Sequence, residues 1–264
     1  MAKKIMITSG KGGVGKSSIT ASAALALAKM NQRVLCVDFD LGLRNLDVVL
    51  GLENRLVYDM KDIVYQRCTL LEALVQDKRM PNLYLLSGCR NLNLDKLRLY
   101  DVQNIISQCN EMFDVILMDC PAGIERGFQY ALSCADEAYV VVQLDITSLM
   151  DADRVVGMLM RHGISDIKLI VNRVNPSYIK NKIQCSIKEA VDYLSLPLSG
   201  VIYEDSMCIR AMNVGHLSSP CSPLTQRCFE TIAKRILGLE AEFPKYERRS
   251  VFMKLLQHDC QIQS

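Results

Sequence analysis

The chain lacks several features that would place it in other protein classes. Its 264 residues contain no tryptophan, only seven prolines and 6% aromatic residues. No apolar run is long enough to span a bilayer, and the N-terminus does not have the pattern of a signal peptide. The net charge of +2 is too small to indicate nucleic-acid binding from the overall field. We therefore expect a cytoplasmic chain that could contact a membrane only peripherally.

Cysteine is abundant, but its spacing is not typical of a metal site or a disulfide framework. The chain has eleven cysteines with no C-x-x-C pair, and its three histidines lie far apart. Most of the cysteines have apolar neighbours, which favours reduced thiols that pack as small hydrophobic residues. The sequence therefore predicts no metal-binding role for either residue type.

Apolar strand-like segments alternate with helix-like segments along the chain. Together with 50% apolar and 23% charged residues, this alternation is typical of an α/β fold. We predict one doubly wound, mostly parallel sheet flanked by helices, forming a single domain over residues 1–244. Strands are predicted at residues 4–8, 34–38, 83–86, 115–119, 138–144, 167–174 and 198–202. Helices are predicted at residues 19–30, 100–110, 149–160 and 187–194.

A glycine-rich loop between the first strand and the first helix carries the strongest functional signal. It has the form G-x-x-x-x-G-K-[ST], in which backbone N–H groups surround nucleotide phosphates. Lys16 is expected to reach the β- and γ-phosphates, and the Ser17 hydroxyl to bind Mg²⁺. The N-terminus of the following helix would also favour the anion. The predicted nucleotide-binding residues of the loop are Gly10, Lys11, Gly12, Gly13, Val14, Gly15, Lys16, Ser17 and Ser18.

Three aspartates stand at the ends of predicted strands, where ligands bind in parallel sheets. Asp119 closes a run of four apolar residues, the Walker-B form, and is predicted to hold Mg²⁺ directly or through water. Asp38 and Asp40 close the second strand, and the two-residue period of a strand would turn both toward the γ-phosphate. Asp38 is thus a further predicted metal ligand. Helix capping or a surface turn remains an alternative for Asp38 or Asp40 taken alone.

These motifs resemble those of the MinD/ParA family of deviant Walker-A ATPases, and the resemblance covers nearly the whole chain. It is carried by residues 11–18, 38–47, 119–125, 151–154 and 172–176. The resemblance implies binding of ATP with Mg²⁺ and a homodimer held together by ATP. Lys11, the deviant lysine, would cross the dimer interface to the partner's nucleotide. Asp40 would position the attacking water, and Asn172 would hydrogen-bond to the adenine.

Residues 245–264 are predicted to form a separate amphipathic helix with a polar tail. Four apolar side chains fall on one helical stripe, beside basic residues that could meet lipid phosphates. The stripe consists of Val251, Phe252, Leu255 and Leu256. It resembles the membrane-targeting helix of the family's cell-division branch, which implies attachment to anionic lipids on the inner face of the cell membrane. A last helix packed back on the domain is the alternative.

The predicted function is an ATP-hydrolysing switch that binds the membrane as an ATP dimer and helps select the cell-division site. By resemblance its partners are a MinC-like division inhibitor and a MinE-like activator, which would dock near residues 149–160. A ParA-like DNA-partition ATPase is the alternative, and it would need a clustered basic surface. An electron carrier of the same family would need paired interface cysteines, which the flanks of Cys89 and Cys120 do not fit.

Overall fold

The computed structural model describes residues 1–40, 45–89, 97–213 and 221–246. In this part of the chain an eight-stranded sheet carries helices on both faces, which confirms the predicted fold class. The strands are β1 (Lys3–Ser9), β2 (Val34–Asp38), β3 (Val75–Gln76), β4 (Leu83–Ser87), β5 (Val115–Ala122), β6 (Glu137–Val142), β7 (Asp166–Val174) and β8 (Leu198–Tyr203).

The helices connect the strands and cover the sheet. They are α1 (Lys16–Lys29), α2 (Leu46–Leu50), α3 (Met60–Val64), α4 (Leu70–Ala73), α5 (Leu99–Cys109), α6 (Arg126–Cys134), α7 (Ile146–Arg161), α8 (Pro176–Lys180), α9 (Ile187–Leu194), α10 (Ser206–Asn213) and α11 (Pro223–Ile236), with a 3-10 turn at Glu53–Arg55. All seven predicted strands and four predicted helices are present. The sequence interpretation did not assign α6, α10, α11, the edge strand β3 or the short helices.

The strand order is β3-β4-β2-β5-β1-β6-β7-β8, and only β3 pairs in the antiparallel direction among the described strands. β5 comes late in the chain but inserts between β1 and β2, pairing with both in parallel. The carboxyl ends of β1, β2 and β5 therefore meet at the centre of the sheet. Ligands of open α/β sheets bind at such an edge.

Each central strand contributes side chains to two separate hydrophobic cores, because alternate side chains point to opposite faces of the sheet. In β5, Ile116 and Met118 pack with helices α5, α6 and α7, whereas Val115 and Leu117 pack with α1 and α11. Residues on both faces are almost fully buried, which explains why the strand sequences are continuously apolar. Among the described residues, no helix has the length and hydrophobicity needed to cross a bilayer.

The chain after α11 runs back along the domain to its last described residue. The Arg235 guanidinium donates to the Ala241 carbonyl at 2.8 Å and stacks on the Phe243 ring at 4.1 Å. The Tyr203 hydroxyl donates to the Pro244 carbonyl at 3.2 Å. The root of the predicted tail is thus fixed to β8. The stripe residues Val251, Phe252, Leu255 and Leu256 lie outside the described residues.

Gly200 in β8 allows α11 to pack closely against the sheet. A Cβ at this position would lie 2.6 Å and 2.8 Å from side-chain carbons of the fully buried Ile232. We expect Gly200→Ala to lower the free energy of unfolding by about 1–3 kcal/mol, because overpacking forces the helix away. Urea denaturation followed by circular dichroism measures the change.

Gly157 in α7 provides the matched control, since a Cβ there would meet nothing within 4 Å. Gly157→Ala should leave the stability unchanged or raise it by up to about 1 kcal/mol, because alanine favours helix. Equal effects of the two substitutions would contradict the close packing assigned to Gly200.

Candidate active site

The glycine-rich loop joins the end of β1 to the start of α1 and has a shape that few other residues could adopt. Gly15 precedes α1 with φ of 100°, in the left-handed region. A Cβ on Gly15 would lie 2.5 Å from the Asn172 side-chain nitrogen. Asn172 in turn donates from Nδ2 to the Val14 carbonyl at 2.7 Å. The loop is therefore held against the end of β7 by a contact that requires glycine.

Lys16 lies inside the loop and is buried. Its Nζ donates to the Ser9 hydroxyl at 3.0 Å, and that hydroxyl donates to the Lys11 carbonyl at 2.7 Å. Burial lowers the pKa of Lys16, although Asp119 and other nearby anionic groups oppose the shift. A buried ammonium group held at the glycine loop is suited to binding an anion such as a phosphate.

Asp119 lies in β5, and its side chain faces the first residues of α1. Its carboxylate accepts a hydrogen bond from Ser17, and Oδ1 lies 3.3 Å from the Thr20 hydroxyl. The second oxygen, Oδ2, is fully buried and has no hydrogen-bond partner among the described residues. A buried, unpartnered carboxylate oxygen beside a serine hydroxyl fits a Mg²⁺ ion, which takes oxygen ligands and uses few from the protein.

Asp38 shares this space and has a different set of contacts. Its Oδ1 accepts from the Asp40 backbone N–H at 2.9 Å, and its Oδ2 accepts from the Leu46 N–H at 3.3 Å. Asp38 thereby joins the two ends of the segment between β2 and α2. β2 ends at Asp38, so the strand period that was expected to orient Asp40 does not extend to it.

The three aspartates are all shifted toward their protonated forms. Burial raises the pKa of Asp119 to about 7, with hydrogen bonds from Ser17 and Thr20 and the charge of Lys16 opposing the shift. Burial and the charge of Asp119 raise the pKa of Asp38 well above its usual range. Burial also raises the pKa of the half-exposed Asp40, despite the attraction of Lys16. The site thus holds more negative charge than its own cation compensates.

Lys11 points away from this buried cluster. Its Nζ lies on the surface, 3.2 Å from Asp145 Oδ1 and 3.1 Å from the Thr147 hydroxyl. Asp145 also caps α7 by accepting from the Ser148 N–H at 2.9 Å. Burial acts to raise the pKa of Asp145, but hydrogen bonds from Thr147, Ser148 and Lys11 outweigh burial, and the pKa is lowered. The two lysines of the loop thus occupy different environments, one buried and one about 43% exposed.

A small pocket lies between the start of α1 and the ends of β7 and β8. Its walls include Gly15, Ser18, Asn172, Tyr203, Cys208 and Phe229. Both polar atoms of the Asn172 amide already form hydrogen bonds within the protein: Nδ2 donates to the Val14 carbonyl, and Oδ1 accepts from the Arg173 N–H at 2.9 Å. Its predicted hydrogen bond to adenine therefore stays a prediction, and it would require an exchange of partners.

The structure adds site residues that the sequence interpretation missed. Ser9, Thr20, Asn45 and Asp145 contact the predicted residues through hydrogen bonds. A sequence signal was available for Asp145, because it follows an apolar strand as Asp38 and Asp119 do. Ser9 and Thr20 carry no comparable signal, since single hydroxyl residues beside a glycine loop are common.

The family model for the "CobQ/CobB/MinD/ParA nucleotide binding domain" matches residues 5–218, which span the loop, the aspartates and Asn172. The chain belongs to the MinD/ParA family. The septum site-determining protein MinD of Helicobacter pylori is 42% identical over 266 residues, covering 97% of this chain and 98% of the relative. The family predicted from the motifs is therefore confirmed, and MinD proteins are the relatives that show it.

Two solved MinD structures have the same fold as this chain. The chain resembles MinD in the MinC:MinD cell division complex of Aquifex aeolicus with a TM-score of 0.85 and 38% identity, covering 94% of this chain and 100% of that one. It resembles Pyrococcus horikoshii MinD complexed with Mg-ADP with a TM-score of 0.76 and 30% identity, covering 89% of this chain and 96% of that one. This protein is thus a nucleotide-binding member of the MinD/ParA family, and its relatives include cell-division proteins.

The raised pKa of Asp119 predicts a pH-dependent gain in stability when its charge is removed. The folded state binds this proton more tightly than the unfolded state does, so the favourable contribution is lost as pH rises from about 4 through about 7. We expect Asp119→Asn to be more stable than the unsubstituted protein at pH 8, by on the order of 2 kcal/mol. The difference should shrink toward pH 5.

Urea denaturation between pH 5 and 8, without nucleotide or Mg²⁺, measures this difference. Asp153→Asn is the matched control, because Asp153 is exposed on α7. Its effect should be small and independent of pH. A stability difference for Asp119→Asn that does not change with pH would contradict the assigned pKa.

Proposed function

We propose that this protein is an ATP-hydrolysing switch that dimerises with ATP and attaches to the membrane to help select the cell-division site. The observation that carries the proposal is the division of roles between the two loop lysines. Lys16 is buried among the aspartates, whereas Lys11 is exposed at the start of α7. One lysine can serve the nucleotide of its own subunit, while the other lies on the surface, where it can exchange its present partners for a second subunit.

Nucleotide binding is supported by the charge balance of the site. The loop amides and the Lys16 ammonium would bind the phosphates, and Ser17 and Asp119 would hold Mg²⁺. Mg²⁺ would offset negative charge on both the phosphates and the aspartates. Asp38 would mainly order the following segment, because both of its oxygens already accept backbone N–H groups. The Mg-ADP of the Pyrococcus relative is consistent with this site.

Hydrolysis would be driven by positioning and charge stabilisation, with no covalent step on the protein. Asp40 is half-exposed and within the electrostatic influence of Lys16, so its carboxylate can orient a water molecule toward the γ-phosphate. Its raised pKa also makes it a better proton acceptor than a fully solvated aspartate. The contact of Asp38 with the Asp40 backbone would keep this carboxylate in place.

Dimerisation would require Lys11 to leave its present partners. An exposed ion pair such as Lys11–Asp145 contributes at most about 1 kcal/mol, so its loss costs little. A phosphate of the partner's nucleotide would replace it with a stronger, less hydrated contact. ADP lacks the γ-phosphate, and the dimer would loosen after hydrolysis.

Lys11→Ala should abolish dimerisation with a non-hydrolysable ATP analogue and Mg²⁺, while ADP binding is retained because Lys16 is intact. Sedimentation velocity measures the dimer, and a fluorescent ADP analogue measures the binding. Lys188→Ala, which removes an exposed lysine on α9, should dimerise normally. Dimerisation of Lys11→Ala at the normal nucleotide concentration would overturn the proposed role of this lysine.

Membrane attachment is assigned to residues 245–264, and the ATPase domain to residues 1–244. Burying Val251, Phe252, Leu255 and Leu256 would gain about 6–10 kcal/mol at most. The entropy lost when the tail becomes ordered opposes this gain, while basic residues near anionic lipid add to it. One tail would bind the membrane weakly, and the two tails of a dimer would bind it more tightly through avidity. We therefore propose a cytoplasmic protein that binds the inner face of the membrane when it carries ATP.

Phe252→Glu should prevent ATP-dependent sedimentation with anionic vesicles but leave ATP-dependent dimerisation unchanged. The unsubstituted protein should sediment with ATP and much less with ADP. Ile183→Glu is the matched control, because Ile183 is an exposed apolar residue outside the tail, and it should sediment normally. Normal sedimentation of Phe252→Glu would favour a tail packed on the domain. ATP-dependent binding to DNA in place of vesicles would favour the ParA-like alternative.

A MinC-like division inhibitor is the partner best supported by the relatives, since the Aquifex protein is described in a MinC:MinD complex. We also propose a MinE-like activator and assign the docking face to α7. Met150, Asp153 and Arg154 are exposed there, and Arg154 pairs with Asp151 at 3.3 Å. The helix begins beside Asp145, so a partner bound to α7 would sense whether Lys11 remains in its own subunit.

A further inference from the structure

Asp205 joins the starts of two helices at the edge of the pocket. It follows β8, and its Oδ1 accepts from the Met207 N–H of α10 at 2.9 Å. Its Oδ2 accepts from the Ser222 N–H at 2.9 Å and from the Thr225 hydroxyl of α11 at 2.7 Å. One carboxylate thus draws together two chain segments that are distant in sequence, and each carries a cysteine next to the anchored residues.

Cys208 follows Met207 and Cys221 precedes Ser222, so the shared carboxylate of Asp205 brings the two cysteines close together. Interaction between the two thiols lowers the pKa of Cys221 and, together with burial, raises that of Cys208. Cys208 is buried and lines the pocket, whereas Cys221 is half-exposed. Cys221 is therefore the thiol that can ionise and meet a reagent from solvent, and Cys208 is placed to react with it.

We propose that Cys208 and Cys221 form a reversible disulfide site in the pocket wall, which responds to low-molecular-weight thiol–disulfide couples. The Cys221 thiolate attacks one sulfur of a small disulfide such as oxidised glutathione and releases one glutathione thiolate. Cys208 then loses its proton to solvent and attacks the Cys221 sulfur, which releases the second glutathione thiolate. Two electrons pass from the cysteine pair to the small disulfide, and excess thiol reverses both steps.

Closure of this disulfide would change the wall of the pocket. A disulfide requires the two sulfurs to lie about 2.05 Å apart, far closer than two hydrogen-bonded thiols. Because Asp205 holds the backbone N–H groups of Met207 and Ser222, the adjustment falls on the side chains of the two cysteines, and Cys208 lines the pocket. This consequence rests on the proposed nucleotide site. Oxidation should weaken nucleotide binding, and bound nucleotide should oppose oxidation by the same factor.

The linkage is tested by incubating the full-length protein with oxidised glutathione, alkylating the remaining thiols, and mapping the peptides without reduction. We expect a peptide pair joined through Cys208 and Cys221. Cys208→Ser should instead retain glutathione on Cys221, whereas Cys221→Ser should form neither product. Cys185→Ser, which removes another half-buried thiol, should give the normal linkage. Persistent glutathione on Cys221 of the unsubstituted protein, or its linkage to a different cysteine, would overturn the proposal.

The effect on the pocket is tested with a fluorescent ADP analogue. Affinity should fall about fivefold or more on oxidation, return after addition of excess thiol, and show no redox response in the Cys208→Ser, Cys221→Ser double variant. Equal affinity of the oxidised and reduced protein would refute the coupling and leave the nucleotide site intact. Failure of the reduced protein to bind ADP would refute the proposed function itself, while the peptide map still decides the disulfide.

Discussion

Two buried carboxylates on neighbouring strands, with one buried ammonium group beside them, are the constraint on which this structure depends. Asp38 and Asp119 stand opposite each other in the register of β2 and β5, and Lys16 enters the same space from α1. Water cannot solvate these groups, so the pKa of each shifts toward the neutral form. The protein therefore keeps a locally unfavourable arrangement of charge at the centre of an otherwise apolar sheet.

The surrounding elements make this arrangement sustainable. Two hydrophobic cores, one on each face of the sheet, fix the strands whose ends carry the charges. Asp38 uses its oxygens to order the chain on both sides of the following segment, and one oxygen of Asp119 has no partner within the described part of the chain. In the proposed function, phosphate would pair with the Lys16 ammonium group, and Mg²⁺ would pair with the Asp119 carboxylate. The free-energy cost of burying these charged groups in the folded protein would then be offset when nucleotide binds.

The wall formed by β8, α10 and α11 links the pocket to other parts of the chain. Tyr203 faces the pocket and also binds the Pro244 carbonyl at the root of the tail. Asp205 holds α10 to α11 and so brings Cys208 to Cys221. The pocket, the root of the tail and the two cysteines of the proposed disulfide therefore share one wall.

The sequence by itself determined what depends on neighbours along the chain. The glycine loop, the helix after it and the apolar strands that end in Asp38 and Asp119 are all local patterns. They were sufficient to predict the fold and the family, and they named the candidate site residues Lys16, Asp38 and Asp119, which the fold brings together. They did not reveal Ser9 and Thr20, because a single hydroxyl residue has no distinctive local signature. The short edge strand β3 was missed for a similar reason, since two residues carry no period.

Only the tertiary structure decided which distant residues meet. The insertion of β5 between β1 and β2 places Asp119 against Asp38 and Ser17, and no spacing in the chain specifies that order. The contacts of Lys11 with Asp145 and of Cys208 with Cys221 likewise depend on how helices dock on the sheet. The local sequence pattern determines the type of each helix or strand, through the period of its apolar residues, and where it begins and ends. Their arrangement depends on how the apolar faces pack together, which is a property of the whole chain.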